Sequence, residues 1–138
     1  MANARLSPAV RAFLEEPRFA ILATINPDGS PQQSVMWYRL DGDCVMMNTS
    51  RGRVKDRNLT RDPRASICVE DGYRFVTISG RVQLIDDQSQ AKADIHALAV
   101  RYHGPERADE MMREQFSKQQ RVTIQLSIDR VVASGFDE

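Results

Sequence analysis

Three apolar runs of strand length fill residues 18–50, and two tight-turn signals separate them. The runs are RFAILATI (18–25), PQQSVMWYRL (31–40) and CVMMNTS (44–50); the separators are NPDGS and DGD. Asn, Asp, Gly and Pro in such clusters reverse the chain within a few residues. Connections this short cannot carry a crossover, so neighbouring runs must pair antiparallel. A doubly wound parallel sheet is thereby excluded, and a small antiparallel barrel is favoured.

Flanking segments fit that frame. Ser7 followed by Pro8 reads as an N-cap and first helical residue, with Val10, Phe13 and Leu14 on one apolar face and Pro17 as the stop. RASICVE (64–70) and RFVTISGRVQLI (74–85) are two further strands about a turn at Asp71–Gly72. Gly80 inside the longer one predicts a bulge or a barrel corner. From Asp87 the period becomes helical: Ala91, Ile95, Leu98 and Tyr102 recur on one side until Gly104–Pro105. A second helix from about Glu106 carries Met112 and Phe116, and RVTIQLSI (121–128) alternates as a final strand with Val122, Ile124, Leu126 and Ile128 on one side. The expectation is one domain spanning residues 1–138: a mainly antiparallel β-barrel with peripheral helices.

Charge is balanced overall, with 19 basic and 19 acidic residues in 138, so no global field draws nucleic acid or an anionic membrane. No apolar run approaches a membrane span, and MANARLSPAV lacks the apolar core of a signal peptide. Cys44 and Cys68 lie in apolar runs without metal or redox spacing and read as two reduced core thiols. The protein is expected to be cytoplasmic.

Against that neutrality, NTSRGRVKDRNLTRDPRAS (48–66) concentrates Arg51, Arg53, Lys55, Arg57, Arg61 and Arg64 against Asp56 and Asp62. The segment looks helical from about Arg53 to Arg61, which sets cations at the positive end of the macrodipole, where each costs ~0.3–1 kcal/mol. An anion there would meet the dipole, open amides and fixed cations together, with the Thr49 and Ser50 hydroxyls arriving from the preceding strand and Gly52 allowing close approach. Either a phosphate cradle or a solvated helix face accounts for the run. A nucleic-acid surface does not, since one basic turn without interleaved aromatics is a poor footprint.

In PQQSVMWYRL both faces mix polar and bulky groups: Gln33, Val35, Trp37 and Arg39 on one, Gln32, Ser34, Met36, Tyr38 and Leu40 on the other. A flat heteroaromatic ligand could lie along such a strand, although Trp37 and Tyr38 serve equally as barrel core. The strand, Thr49–Ser50 and the basic helix start are close in sequence and can line one groove. His96 and His103 lack ligand partners at metal spacing, and no nucleophile elbow, dinucleotide fingerprint or Walker loop is present. Any redox chemistry would belong to a bound organic cofactor.

The stretches FAILATINPDGSPQQSVMWY, NTSRGRVKDRNLTRDPRAS and RFVTISGRVQLI together resemble the split β-barrel flavin and deazaflavin proteins of the pyridoxamine 5′-phosphate oxidase-like superfamily, over about residues 6–134. The pattern R-x-K-x-x-N-L-x-x-D-P-R-A is most similar to the reductases that use coenzyme F420, a 5-deazaflavin. This resemblance implies an FMN-binding split β-barrel fold and a homodimer with cofactor sites at the interface. It implies that Thr49, Ser50, Arg53 and Lys55 hold the cofactor phosphate, with Asn58 supporting the loop. Ser34, Val35, Met36 and Trp37 would follow the ring system, Gln32 its edge, and Phe75 would be a further ring neighbour. Tyr102 and His103 would cover the site from the partner subunit.

Two departures from the flavin oxidases favour the deazaflavin branch over FMN. Ser34 stands where those enzymes carry arginine, and Arg53-Val54-Lys55 replaces an adjacent Arg-Lys pair. The sequence given also ends at SGFDE, without their C-terminal extension. The expected activity is hydride transfer from reduced F420 to a small conjugated acceptor such as a quinone, enone or tetrapyrrole. No metal is expected, and Tyr38 is the one nearby hydroxyl to test as proton donor. The alternatives are an FMN-dependent oxidoreductase of the same fold and a non-catalytic F420-binding or carrier protein.

Overall fold

The computed structural model describes residues 5–136. The chain begins with α1 (Pro8–Glu15), where Ser7 Oγ accepts from the Val10 amide at 3.2 Å, and Val10, Phe13 and Leu14 are buried. Then come β1 (Ala20–Ile25), β2 (Pro31–Met36), β3 (Arg39–Asp41), β4 (Cys44–Ser50), α2 (Val54–Arg61), β5 (Arg64–Glu70) and β6 (Phe75–Ile85). Next are α3 (Gln88–His103), α4 (Pro105–Glu114), a 3-10 turn (Phe116–Lys118), β7 (Arg121–Ser127) and β8 (Arg130–Ser134).

All strand pairings are antiparallel, in the order β2-β1-β5-β6-β7-β4-β3, with β8 also on β6. Curling of this sheet packs its inner face into one core that includes Leu22, Tyr38, Ile78, Ile124 and Leu126. The architecture is the expected split barrel with peripheral helices.

β6 works as the corner. One edge pairs β8 from Phe75 to Ser79 and then β7 from Val82 to Ile85. Gly80 sits at the changeover, where a Cβ would lie 1.9 Å from Ser127 O. Only glycine lets the two backbones cross so closely.

Five expectations change. The run 31–40 is not one strand: β2 pairs β1, β3 pairs β4, and Trp37–Tyr38 carries the chain between the two ends of the sheet. Side chains of α3 take the backbone groups that a ladder would have paired. The Tyr38 amide donates to Tyr102 Oη (3.1 Å), and Tyr38 O accepts from Arg101 Nε (3.0 Å) and Tyr102 Oη (3.2 Å).

β7 is buried on both faces, because α3 covers the outer one. Val122, Ile124, Leu126 and Ile128 share the inner side as the alternation requires, but Arg121 and Thr123 are buried too. A second apolar cluster of Met46, Ile95, Leu98, Ala99, Ala108 and Phe116 holds α3 and α4 against the barrel. Phe116 lies in the 3-10 turn rather than in α4, and β8 follows β7 after only two residues. The two cysteines are free but half-buried, not core thiols, and the Cys44 thiol donates to Asp41 O (3.2 Å).

Candidate functional site

Four of the six cations in the basic segment are engaged by local structure. Arg51 pairs with Asp56 (3.5 Å) and Asp86 (3.9 Å). Arg57 donates to Gly52 O, and Arg61 to Ile25 O and Asn58 Oδ1. Arg64 pairs with Asp62 at 2.8 Å. For these the bland explanation suffices.

Arg53 and Lys55 differ: among the described residues neither forms an ion pair. Arg53 occupies the N-cap of α2 and among the described residues no side chain caps that helix, so its first-turn amides stay open. Gly52 turns the chain at φ +88°, and its amide is tied to Asp56 Oδ2 at 2.8 Å. The Lys55 ammonium is pushed below its ordinary pKa by burial first, then by Arg53 and Arg121. Three cations therefore sense one another, and among the described residues no carboxylate forms an ion pair with any of them.

Arg121 is a residue that sequence reasoning missed. It opens β7, directly opposite Ser50 in the β4–β7 ladder, and is 95% buried. Read alone, RVTIQLSI gives no sign that its first residue matters; only the ladder register places it beside Ser50. Asn48 was missed for the same reason. Its amide donates to Ala91 O (2.8 Å) and Thr123 Oγ1 (3.3 Å), and its oxygen accepts from Arg121 Nε (3.0 Å).

A cavity of about 190 Å³ joins these groups to the end of β2, with Val35, Met36, Trp37, Asn48, Arg53 and Arg121 among its walls and Ile95, Leu98 and Phe116 closing the apolar side. β2 pairs only β1 among the described residues, so its other edge keeps open backbone groups. Trp37 stacks on Tyr102 (centroids 5.4 Å, planes 13° apart), and His103 and Phe116 meet it edge-on. Tyr102 and His103 thus pack on Trp37 within this chain and are not among the cavity walls.

Each expected site residue has a definite place. Val35, Met36, Trp37 and Arg53 line the cavity; Ser50 flanks Arg121, and Lys55 is near Arg53 and Arg121 but not among the cavity walls. Thr49 is on the opposite face of β4 from Ser50, buried beside the core. Gln32 and Ser34 lie on the β2 face that shares the core side with Leu22 and Thr24; Gln32 Oε1 accepts from Thr24 Oγ1 at 3.2 Å. Ser34 Oγ is buried without a hydrogen-bond partner, an orphan of the kind a bound polar group would satisfy. Asn58 is buried, and its amide nitrogen holds Thr24 Oγ1 (3.1 Å) and Asn26 Oδ1 (3.0 Å), so it fixes α2 to β1 rather than facing the cavity. Phe75 stands three strands from β2, partly exposed and outside this cavity.

Tyr38 is excluded as a proton donor. It is fully buried, its hydroxyl donates to Leu14 O (2.8 Å), and burial pushes its pKa up to about 12.

A curled antiparallel sheet of this order, flanked by four helices, defines a split β-barrel protein. The chain belongs to the family described as pyridoxamine 5′-phosphate oxidase, which matches residues 6–134. Among relatives, an F420H(2)-dependent biliverdin reductase of Mycobacterium tuberculosis is 28% identical over 133 residues, spanning 95% of this chain and 90% of that protein. A solved structure named F420 reductase superposes with a TM-score of 0.79 at 28% identity, covering 92% of this chain and 98% of that one. HutZ, a heme storage protein from Vibrio cholerae, shares the fold (TM-score 0.72, 21% identity, 96% and 97% covered).

Proposed function

We propose that this chain is an oxidoreductase that binds coenzyme F420 and passes hydride to a small conjugated acceptor such as a quinone, enone or tetrapyrrole. One observation carries the reading: among the described residues Arg53 and Lys55 pair with no carboxylate, and they stand beside an uncapped helix start at one end of an aromatic groove. Such an arrangement is unfavourable when empty and favourable around a phosphate. The two relatives whose names include F420 support the choice of cofactor.

In this reading Arg53, Lys55 and Ser50 grip the phosphate, with Thr49 behind them and Asn58 holding α2 in place. Val35, Met36 and Trp37 wall the ring, and the open edge of β2 meets its polar rim beside Ser34 and Gln32. The deazaflavin, when bound, supplies the hydride chemistry that no side chain here offers. The chain's part is to orient the ring, exclude water with the Trp37–Phe116 wall, and leave one face open to the acceptor. Exposed Val35 and Phe75 suit a homodimer that completes the site from a second copy.

Fluorescence titration with F420 and with FMN tests the reading. Saturable binding of F420, about tenfold or more tighter than FMN, is expected. Tighter FMN binding would make the protein a flavin enzyme, and binding of neither would overturn the assignment. Turnover against an acceptor panel separates a reductase from a carrier.

A further inference from the structure

We propose that Arg121 is an anion-binding residue of this groove, and that with Arg53 and Lys55 it makes the site select the phosphate-bearing cofactor over its bare chromophore. The inference rests on the F420 reading above and adds a residue 66 positions beyond Lys55 in the chain.

The first ground is burial without a counter-ion. Arg121 is 5% exposed, yet its hydrogen-bond partners are neutral: Asn48 Oδ1 (3.0 Å) from Nε and Gln119 Oε1 (2.6 Å) from Nη1. The ring of Phe116 lies 4.9 Å from its Cζ. Asp94, on the same side of the barrel, accepts from Thr123 Oγ1 at 2.6 Å and forms no ion pair with Arg121. A buried cation left in this state is strongly unfavourable, and natural interiors pair such charges. Burial and then the Arg53 charge hold its pKa down to about 10, which shows the same stress.

The second ground is direction. Arg121 lines the cavity with Arg53, and its Nη2 makes no hydrogen bond among the described residues. Gln88 fixes the backbone of Arg121 from both sides, donating to its carbonyl and accepting from its amide, each at 2.8 Å. With Nε and Nη1 anchored, the guanidinium presents its remaining donors as a fixed fork, the geometry that suits phosphate oxygens. Two cations, Arg53 and Arg121, line the cavity, and Lys55 lies close enough to feel both, more charge than a single carboxylate would neutralise. A phosphate with adjoining acidic groups, as in the F420 tail, matches the charge.

The test titrates wild type, Arg121→Gln and Arg121→Lys with F420 and with the deazaflavin ring and ribityl chain that lack the phosphate. Wild type should prefer F420, and Arg121→Gln should lose about thirtyfold in F420 affinity while binding the bare chromophore as before. Arg121→Lys keeps the charge without the fork and should fall between. Equal loss for both ligands, or no loss for F420, would overturn the proposal while leaving the F420 reading intact. Failure of wild type to bind either ligand would instead overturn the F420 reading itself, and this proposal with it. Should Arg121→Gln fail to fold, Arg121→Met, which keeps an unbranched stem beside Phe116 and removes the charge, decides: an unchanged preference for F420 would overturn the proposal.

Discussion

Replacing Lys55 with glutamine should weaken F420 binding about thirtyfold while leaving the ligand-free protein at least as stable as its parent. Two unit charges about 4 Å apart at an effective dielectric near 20 interact by ~4 kcal/mol. Lys55 is only half-buried, so solvent screening reduces the figure to ~2 kcal/mol, or about thirtyfold in Kd. Reversal to glutamate replaces attraction with repulsion and should cost about a thousandfold. Stability moves the other way. The folded pKa of Lys55 lies below its unfolded value, so the folded state disfavours the proton that the unfolded state holds readily. The ammonium is therefore a liability at neutral pH, lifted as pH rises through the folded pKa toward 10.5. Urea unfolding of parent and Lys55→Gln at pH 7 and pH 10 should show the parent closing any deficit at the higher pH. Unchanged F420 affinity in the glutamine variant, or a clear loss of ligand-free stability at pH 7, would refute the reasoning by making Lys55 a structural residue.

Tyr38→Phe should cost about 1 kcal/mol in urea unfolding, since Leu14 O keeps Arg101 as a partner, and should leave reductase turnover unchanged. Gly80→Ala forces the β6 and β7 backbones apart and should lower stability by about 2–3 kcal/mol in the same assay, more if the corner opens. Arg101 donates to Leu14 O, Glu15 O, Glu16 O and Tyr38 O, so Arg101→Met should cost ~2–3 kcal/mol. The emission of Trp37, the sole tryptophan, should shift to the red in that variant as its stack on Tyr102 loosens.

Much of the barrel was legible because hairpin turns act locally. NPDGS and DGD impose reversal wherever they occur, and Ser7–Pro8 and Gly104–Pro105 mark helix boundaries by their own backbone limits. What escaped was set by distant partners. The break at Trp37–Tyr38 depends on Arg101 and Tyr102, more than sixty residues away. The dry outer face of β7 depends on α3, and so strict alternation in RVTIQLSI hid Arg121 and Thr123. The site followed the same rule. Arg53 and Lys55 stood out in a local charge run, but nothing local separated them from Arg51, Arg57, Arg61 and Arg64. The division shows only in three dimensions: Asp56, Gly52 O and Asp62 answer Arg51, Arg57 and Arg64 from within five residues, and Ile25 O answers Arg61 from β1.

The most direct measurement of the central claim is a crystal structure of the protein grown with F420. The account predicts phosphate oxygens about 2.7–2.9 Å from the side chains of Arg53 and Lys55, with the ring against Val35–Trp37. A cofactor bound elsewhere, with the α2 junction holding only solvent, would contradict it.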